Sequence, residues 1–587
     1  MVKVLKRLNK TEVLRFFIGL IFIVAQVWLE LKLPDFMSGI TTLTQTQGSM
    51  MSEILRIGGL MLLCALGSLI AAIVVGFFAA RIGASFSQRL RSMLFNKVDS
   101  FSSEEINRFS TASLITRSTN DVMQIRMVLT IGMQVAVRAP IMAVIAVTKI
   151  AGKGFEWTIV TASAVLILVA VFTLMMIFVM PKFKKMQTLT DNLNGVTREN
   201  LTGLRVVRAY NAEVYQEEKF EEANKALTDT QLFTSRGMAM MMPIVSTMVS
   251  GLSLAIYWIG AYMIHAAQMS DKLPLFSDMV VFTSYAMQIV MAFMLMVMVF
   301  IQLPRASVSA NRINEVLETE PTVLDGHLDM NPSSRIAGEI RFDKVCFKYP
   351  DSSEYVLHDI SFTAQQGETV AFIGSTGSGK STLINLIPRF YDPTEGTILI
   401  NGVNIRDYKL ETLRNKLGYV PQKPVLFRGT VGSNVAYGDN GQAEATEEDI
   451  GKSLRIAQGV DFVEKMEGQC DAQVAQGGAN LSGGQKQRLA IARAVCRKPE
   501  IYLLDDSFSA LDYKTDRMLR SALKKETANV TCLIVAQRIG TIIDADRIIV
   551  LDQGRIVGAG KHRELLQSCE VYREIAVSQL SEKELVS

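Results

Sequence analysis

Gly374-Ser375-Thr376-Gly377-Ser378-Gly379-Lys380-Ser381 is a complete G-x-x-x-x-G-K-S phosphate loop. It follows an apolar run, Thr369-Val370-Ala371-Phe372-Ile373, and opens another, Ser381-Thr382-Leu383-Ile384-Asn385-Leu386-Ile387. The first run reads as a strand and the second as a helix, which is the context the motif requires. Glycines let backbone N–H groups close around a polyphosphate, and the start of the helix adds its positive end. Lys380 is expected to reach the β- and γ-phosphates of a nucleoside triphosphate and Ser381 to ligate Mg2+, with Thr382 beside it. Taken alone, the eight residues also fit an ordinary glycine-rich turn, and the surrounding chain decides between the two.

About a hundred residues further on stands Leu481-Ser482-Gly483-Gly484-Gln485, followed by the helical run Lys486–Val495. A Ser-Gly-Gly turn at a helix start is a second phosphate cradle. One phosphate loop already fills the local site, so this turn is expected to serve a nucleotide held by another subunit. Ile501-Tyr502-Leu503-Leu504-Asp505 is an apolar strand ending in an acid, the Walker B arrangement in which Asp505 holds Mg2+ directly or through water. From Glu339 onward, short β-rich runs alternate with helices, as in a parallel-sheet nucleotide-binding domain.

Upstream the composition changes. The chain has 587 residues, 49% of them apolar, which suits a membrane part beside a soluble part. A net charge of +4 gives no reason to invoke nucleic acid. The six cysteines form no C-x-x-C pair and five lie in the nucleotide-binding half, as expected of reduced cytosolic thiols. Lys3, Lys6, Arg7 and Lys10 precede an apolar stretch too long for a signal peptide, so this stretch is read as a retained first transmembrane helix.

Hydropathy predicts six spans, roughly Phe16–Ile40, Ile54–Ala79, Leu129–Ile150, Trp157–Met180, Met238–His265 and Asp278–Leu303. The segments after the second and fourth spans are long and rich in Arg and Lys. The loops Thr41–Ser52, Ala151–Glu156 and Ala266–Phe276 are short and carry only Lys153 and Lys272. By the positive-inside rule both termini and the ATPase domain lie in the cytoplasm of a cell with a multi-pass plasma-membrane protein. Spans two to five are expected to continue beyond the bilayer as helical stalks, with candidate tips at Ser113–Val122 and Gly203–Glu213, a solvated helical hairpin being the competing account. The predicted division is a transmembrane domain over 1–323, a linker over 324–338 containing Pro332, and a nucleotide-binding domain over 339–587.

The phosphate loop, Leu481–Gln485, the Walker B strand and the following Ser509-Ala510-Leu511-Asp512 resemble, in the right order, the signature set of the ABC ATPases. Six helices ahead of one ATPase domain make the whole chain similar to a half-transporter of the type IV ABC exporters. The resemblance implies further roles: Tyr349 would stack on adenine, and Gln422, in Gly418-Tyr419-Val420-Pro421-Gln422, would link the Mg2+ site to the membrane domain. It also implies that the two stalk tips, near Ser113–Val122 and Ala209–Tyr215, act as coupling helices.

The sequence departs from that pattern where hydrolysis is carried out. The family's glutamate after the Walker B aspartate is here Asp506, whose carboxylate is drawn back by about 1.5 Å. A misplacement of about 1 Å can cost on the order of a hundredfold in rate. The loop that normally carries a histidine reads Val535-Ala536-Gln537-Arg538, and Gln537 cannot carry an imidazolium charge. The site is therefore expected to bind Mg-ATP and hydrolyse it slowly, while the intact Ser482, Gly483, Gly484 and Gln485 complete the site of a second half-transporter. This combination resembles the degenerate-site subunit of bacterial heterodimeric multidrug exporters of the Thermotoga type.

Methionines crowd the fifth and sixth spans, from Met238 to Met248 and from Met279 to Met298, and flexible thioethers suit a surface that repacks around varied amphipathic ligands. Packing within the membrane is the competing account. Glu30 and Asp35 lie toward the outer half of the first span, where a buried carboxylate costs about 2.5–3.5 kcal/mol. They are expected to pair with Lys32 or reach the surface, with cationic-drug binding as the alternative and Arg138 equally ambiguous.

Overall fold

A computed structural model describes residues 1–45, 50–150, 154–269, 271–329, 337–441 and 443–580. Lys153 of the second outer loop and Pro332 of the linker lie outside the described residues, as does the side chain of Met298. The chain divides into two compact units, Met1–Val98 with Ala112–Thr319, and Asp99–Thr111 with Glu320–Ser587.

The first unit is helical: α1 (Val2–Leu5), α2 (Lys10–Gln45) and α3 (Met51–Asp99) come first. A short helix, α4 (Ser103–Phe109), belongs to the second unit. It precedes α5 (Thr111–Thr116), α6 (Val122–Ile131) and α7 (Arg138–Ile150), which two π-helical turns join into one rod. Then come α8 (Phe155–Thr202), α9 (Leu204–Ala209), α10 (Glu213–Ala266) and α11 (Lys272–Glu318). Among the described residues six helical runs are long and apolar enough to cross a membrane: α2, α3, Thr111–Ile150, α8, α10 and Lys272–Met296 of α11. At 1.5 Å per residue, the 54 residues of α10 extend about 80 Å, well beyond a hydrocarbon core of about 30 Å.

Buried charges in this unit are paired. Glu12 accepts hydrogen bonds from Asn9 N, Ser85 Oγ and Arg89 Nη2 at 2.8–2.9 Å, which fixes the start of α2 against α3. The outer carboxylates find partners across the sequence. Arg138 Nη2 donates to Glu30 Oε2 at 2.6 Å, and Lys149 Nζ donates to Asp35 Oδ2 at 2.8 Å. Tyr285 of α11 donates to Asp35 Oδ1 at 2.6 Å. Lys32, the expected partner, instead lies over the Trp28 ring at 5.4 Å. Residues two apart on a helix, such as Glu30 and Lys32, do not face each other, whereas Asp35, three residues on, does feel the Lys32 charge.

α11 runs against α2 and α7, and α8 against α10. Trp157, Phe282 and Tyr285 are fully buried in the resulting core. Gly260 lets α10 approach so closely that a Cβ there would meet Met279 Sδ. Burial is uneven, reaching 44% of the spanning window of α11 but only 12% and 11% in α8 and α10. Large apolar faces of α8 and α10 therefore remain uncovered within one chain.

The stretch Ser113–Val122, expected as a stalk tip, packs instead on α11. Arg117 donates to Glu315 Oε2 at 2.7 Å, and Ser309 donates to Asp121 Oδ1 at 2.8 Å. The first turn lies about ten residues earlier, at Asp99–Thr111 with α4. The second falls at α9 and the turn Tyr210–Ala212, overlapping the expected stretch.

In the second unit, β1 (Ile340–Phe347), β2 (Leu357–Ala364), β4 (Glu395–Ile400) and β5 (Val403–Asn404) form an antiparallel sheet in the order β2-β1-β4-β5. The main sheet has the order β12-β11-β3-β10-β9-β6 and uses β3 (Thr369–Gly374), β6 (Leu417–Val420), β9 (Ile501–Asp505), β10 (Thr531–Val535), β11 (Arg547–Asp552) and β12 (Arg555–Gly560). β7 (Gly429–Thr430) and β8 (Gln473–Val474) pair separately. All of the main sheet except β12 is parallel. Its central strands read as unbroken apolar runs because both faces are covered. Ala371 and Ile373 of β3 face one core, and Val370 and Phe372 face the other.

Candidate functional site

Parallel strands bring their carboxyl ends to one edge, and that edge is where α/β sheets hold ligands. The order of β3, β10, β9 and β6 sets four segments side by side there: the phosphate loop after β3, Gln537 after β10, Asp505 and Asp506 at the end of β9, and Gln422 after β6. The register pairs Val535 with both Phe372 and Asp505.

In the phosphate loop Gly377 has φ +86°, and a Cβ there would meet nothing within 4 Å, so the backbone faces open space. Gly379 has φ +93°, and a Cβ would come within 2.6 Å of Leu357 Cδ2. Both positions need glycine. Lys380 begins α12 (Lys380–Leu386), and its Nζ donates to Gly374 O at 2.9 Å, Ser375 O at 2.7 Å and Ser378 Oγ at 3.2 Å. The ammonium thus lies over the loop with all three donors aimed at its oxygens. Burial lowers its pKa, against the attraction of Asp506 and Asp505.

Ser381 Oγ donates to Asp505 Oδ1 at 2.8 Å. Asp505 is buried, and burial raises its carboxyl above the ordinary aspartate range; the Ser381 hydroxyl works against this, Asp506 adds to it, and Lys380 opposes it. A hydroxyl and a carboxylate side by side are hard oxygen donors, the kind that hold Mg2+ together with phosphate oxygens. With the open loop and the ammonium above it, these residues fit a magnesium-bound polyphosphate.

Asp506 is arranged differently. Its φ is +48°, unusual for a residue with a side chain, and its N–H donates to Val535 O at 3.0 Å. Gln487 Nε2 and Ser509 Oγ donate to its carbonyl at 3.3 and 3.0 Å. Gln537 Nε2 donates to its Oδ2 at 2.8 Å, and Gln422 Nε2 is 3.5 Å from the same oxygen. The two substitutions noted in the sequence therefore touch each other. Burial raises the Asp506 carboxyl, against the Gln422 and Ser509 hydrogen bonds.

Tyr349 lies just past the end of β1, half-buried rather than in the strand core. Its hydroxyl is 3.0 Å from Thr382 Oγ1, and its ring meets Phe347 and Tyr391 edge-on at 5.0 and 5.4 Å. The sequence reading missed Tyr391, for which no spacing signal exists. Ser482 caps the helix Gly483–Cys496 in a capping box with Gln485, with Ser482 and Gly483 exposed. The membrane unit carries a groove of about 730 Å³ along α8 and α10. Met175, Met240, Met241, Met248 and Met294 line it together with Arg236. Met279, by contrast, is core.

Residues 12–293 match the family described as ABC transporter transmembrane region, and residues 357–509 match the family described as ABC transporter. An uncharacterized ABC transporter ATP-binding protein of Mycobacterium tuberculosis is 41% identical over 525 residues, covering 89% of this chain and 88% of the relative. Another from Bacillus subtilis is 35% identical, covering 87% of each. An ATP-dependent lipid A-core flippase of Pseudomonas fluorescens is 34% identical, covering 85% of this chain and 81% of the flippase. A solved bacterial Atm1-family ABC exporter with ATP bound superposes with a TM-score of 0.80 at 26% identity, covering 98% of this chain and 100% of that one.

Fold and site together define an ATP-driven membrane transporter, six candidate spans fused to one α/β ATPase domain. The chain belongs to the ABC transporters, as a half-transporter of the type IV exporter kind, in which ATP hydrolysis is coupled to transport.

Proposed function

We propose that the chain is one half of a heterodimeric exporter of hydrophobic and amphipathic compounds, with its own nucleotide site holding Mg-ATP and hydrolysing it slowly. Residues 1–323 carry the transport path, 324–338 connect, and 339–587 bind nucleotide. The Gln537–Asp506 hydrogen bond carries this reading: the one carboxylate available to orient an attacking water is engaged by an amide that has no charge to offer the γ-phosphate. Lys380 holds the β- and γ-phosphates, Tyr349 the base, and Ser381 and Asp505 would hold Mg2+ with Gln422 beside them. Mg2+ would neutralise phosphate charge. Ser482–Gln485, capped and with Ser482 and Gly483 exposed, is left to close the partner's site. Retaining ATP is useful in itself, because moving a two-state protein from 1:99 to 99:1 takes about 5.5 kcal/mol of differential binding.

The methionine-lined groove with Arg236 supports an amphipathic cargo, since thioethers repack around varied apolar shapes. A second reading, export of a lipid, is favoured by the flippase relatives. Peptide export and a slow homodimer are weaker alternatives, because no residue singled out above selects for them.

Mg-ATP turnover of the purified chain, alone and co-expressed with a neighbouring half-transporter, tests the reading. It expects almost no turnover alone, and robust turnover with the partner that a Glu→Gln change after the partner's Walker B aspartate abolishes. Robust turnover by this chain alone would overturn it. Stimulation of the assembled pair by drugs rather than lipids separates the cargoes.

A further inference from the structure

α4 is tied down at both ends within the ATPase unit. At its start, Ser102 caps the helix, and its N–H and Oγ both donate to Glu105 Oε2, at 2.7 and 2.6 Å. The other oxygen of the buried Glu105, Oε1, accepts from Thr322 N at 2.9 Å, so the helix is fastened to the chain just beyond α11. At its other end, Phe109 stacks on Phe101 with centroids 5.9 Å apart. Between these anchors, Asn107 Nδ2 donates to the Tyr391 hydroxyl at 2.9 Å. Tyr391 in turn stands edge-on to Tyr349, whose hydroxyl meets Thr382 beside the phosphate loop.

A continuous chain of contacts thus runs from the nucleotide site to α4: Thr382, Tyr349, Tyr391, Asn107. We propose that Tyr391 and Asn107 are positioning residues through which a base held on Tyr349 orders α4 of the same chain. The inference rests on the reading of Tyr349 as the base-stacking residue. A base on the Tyr349 face restricts its ring, the edge-on contact restricts Tyr391, and a fixed hydroxyl is a better acceptor for Asn107. Phosphates alone reach the loop and leave the face of the ring uncovered. Linkage makes the effect reciprocal: whatever factor the base gives to ordering of α4, the anchored α4 gives to nucleotide affinity.

Hydrogen exchange of residues 103–109 and 374–381 in the assembled full-length exporter tests this, with Mg-ATP and, as a probe without a base, Mg-tripolyphosphate. The expected result is that both ligands slow exchange at 374–381, while Mg-ATP alone slows it at 103–109, by about threefold or more. Tyr391→Phe, which keeps the ring, and Asn107→Ala should each abolish the effect at 103–109 and spare that at 374–381. Each should weaken Mg-ATP binding by the same factor, and the double variant should be no worse than either single one. Equal protection of 103–109 by tripolyphosphate, or an undiminished response in Tyr391→Phe, overturns the inference. If Tyr349→Ala leaves Mg-ATP affinity unchanged, the base-stacking reading fails, and the inference fails with it. If Tyr349→Ala weakens binding while Tyr391→Phe changes nothing, the inference alone fails.

Discussion

Asp505 and Asp506 adjoin in sequence, yet the phosphate side of the site, built around the first, and the hydrolytic side, built around the second, are held in different ways. Asp505 ends a buried strand in regular geometry and accepts from a hydroxyl one loop away. Asp506 sits at positive φ and shares one oxygen between two glutamine amides. The phosphate side keeps every residue type that binding needs. Where the family resemblance calls for a longer acid and an imidazole, the hydrolytic side carries a shorter acid and an amide that hydrogen-bond each other. On the function proposed above, holding a nucleotide and cleaving it are separable properties of adjoining groups, and substitution can address each alone.

The largest effect is expected on the phosphate side. Hydrogen bonds to a charged group contribute about 1.5–3 kcal/mol each. Lys380→Ala should therefore weaken Mg-ATP binding by about 100-fold, read by equilibrium titration of the assembled exporter; an effect below about threefold would erase the distinction between the two sides. On the hydrolytic side, Asp506→Glu with Gln537→His should raise turnover at this site by about 10- to 100-fold, measured with the partner's site silenced. Either change alone should give far less, because each leaves one half of the amide–carboxylate pair in place. Additive single effects would mean that the pair does not act as a unit.

The smallest effect lies outside the site, at Glu105. Burial raises its carboxyl, but hydrogen bonds from Ser102 and Thr322 outweigh this and hold it below the usual glutamate range. A depressed folded-state pKa contributes stability that is present above the ordinary value and is lost as pH falls through the folded one. Glu105→Gln should speed hydrogen exchange at 103–109 a fewfold at neutral pH, and the wild-type chain should approach that behaviour only when acidified below the usual glutamate range.

The sequence made the architecture legible wherever period and context agreed. The spans were long enough to be unambiguous, and the phosphate loop sat between an unmistakable strand and helix. Asp505 could be assigned because it ends a strand, β9, whose preceding residues Ile501–Leu504 form an unbroken apolar run. What escaped were contacts between residues far apart in sequence. Arg138 and Lys149 lie more than a hundred residues from their carboxylate partners, and hydropathy carries no record of such pairs. The Gln537–Asp506 bond follows from β10 pairing with β9, a fact of sheet order rather than of either motif. α4 did have a signal: Ser102-x-x-Glu105 is a capping box, and it marks the true turn ahead of Ser113.

α10 is a single helix from Glu213 to Ala266 with Pro243 inside it. A rod about 80 Å long works as gearing: a tilt of about 5° at one end sweeps the other through about 7 Å. Proline at 243 removes one rung of the ladder and crowds the carbonyl of Ala239, so the rod is softest near that point. The stretch from Glu213 to residue 243 is unbroken helix and therefore moves as one lever. Beyond it, compliance decides how much of the stroke reaches the far side of the membrane.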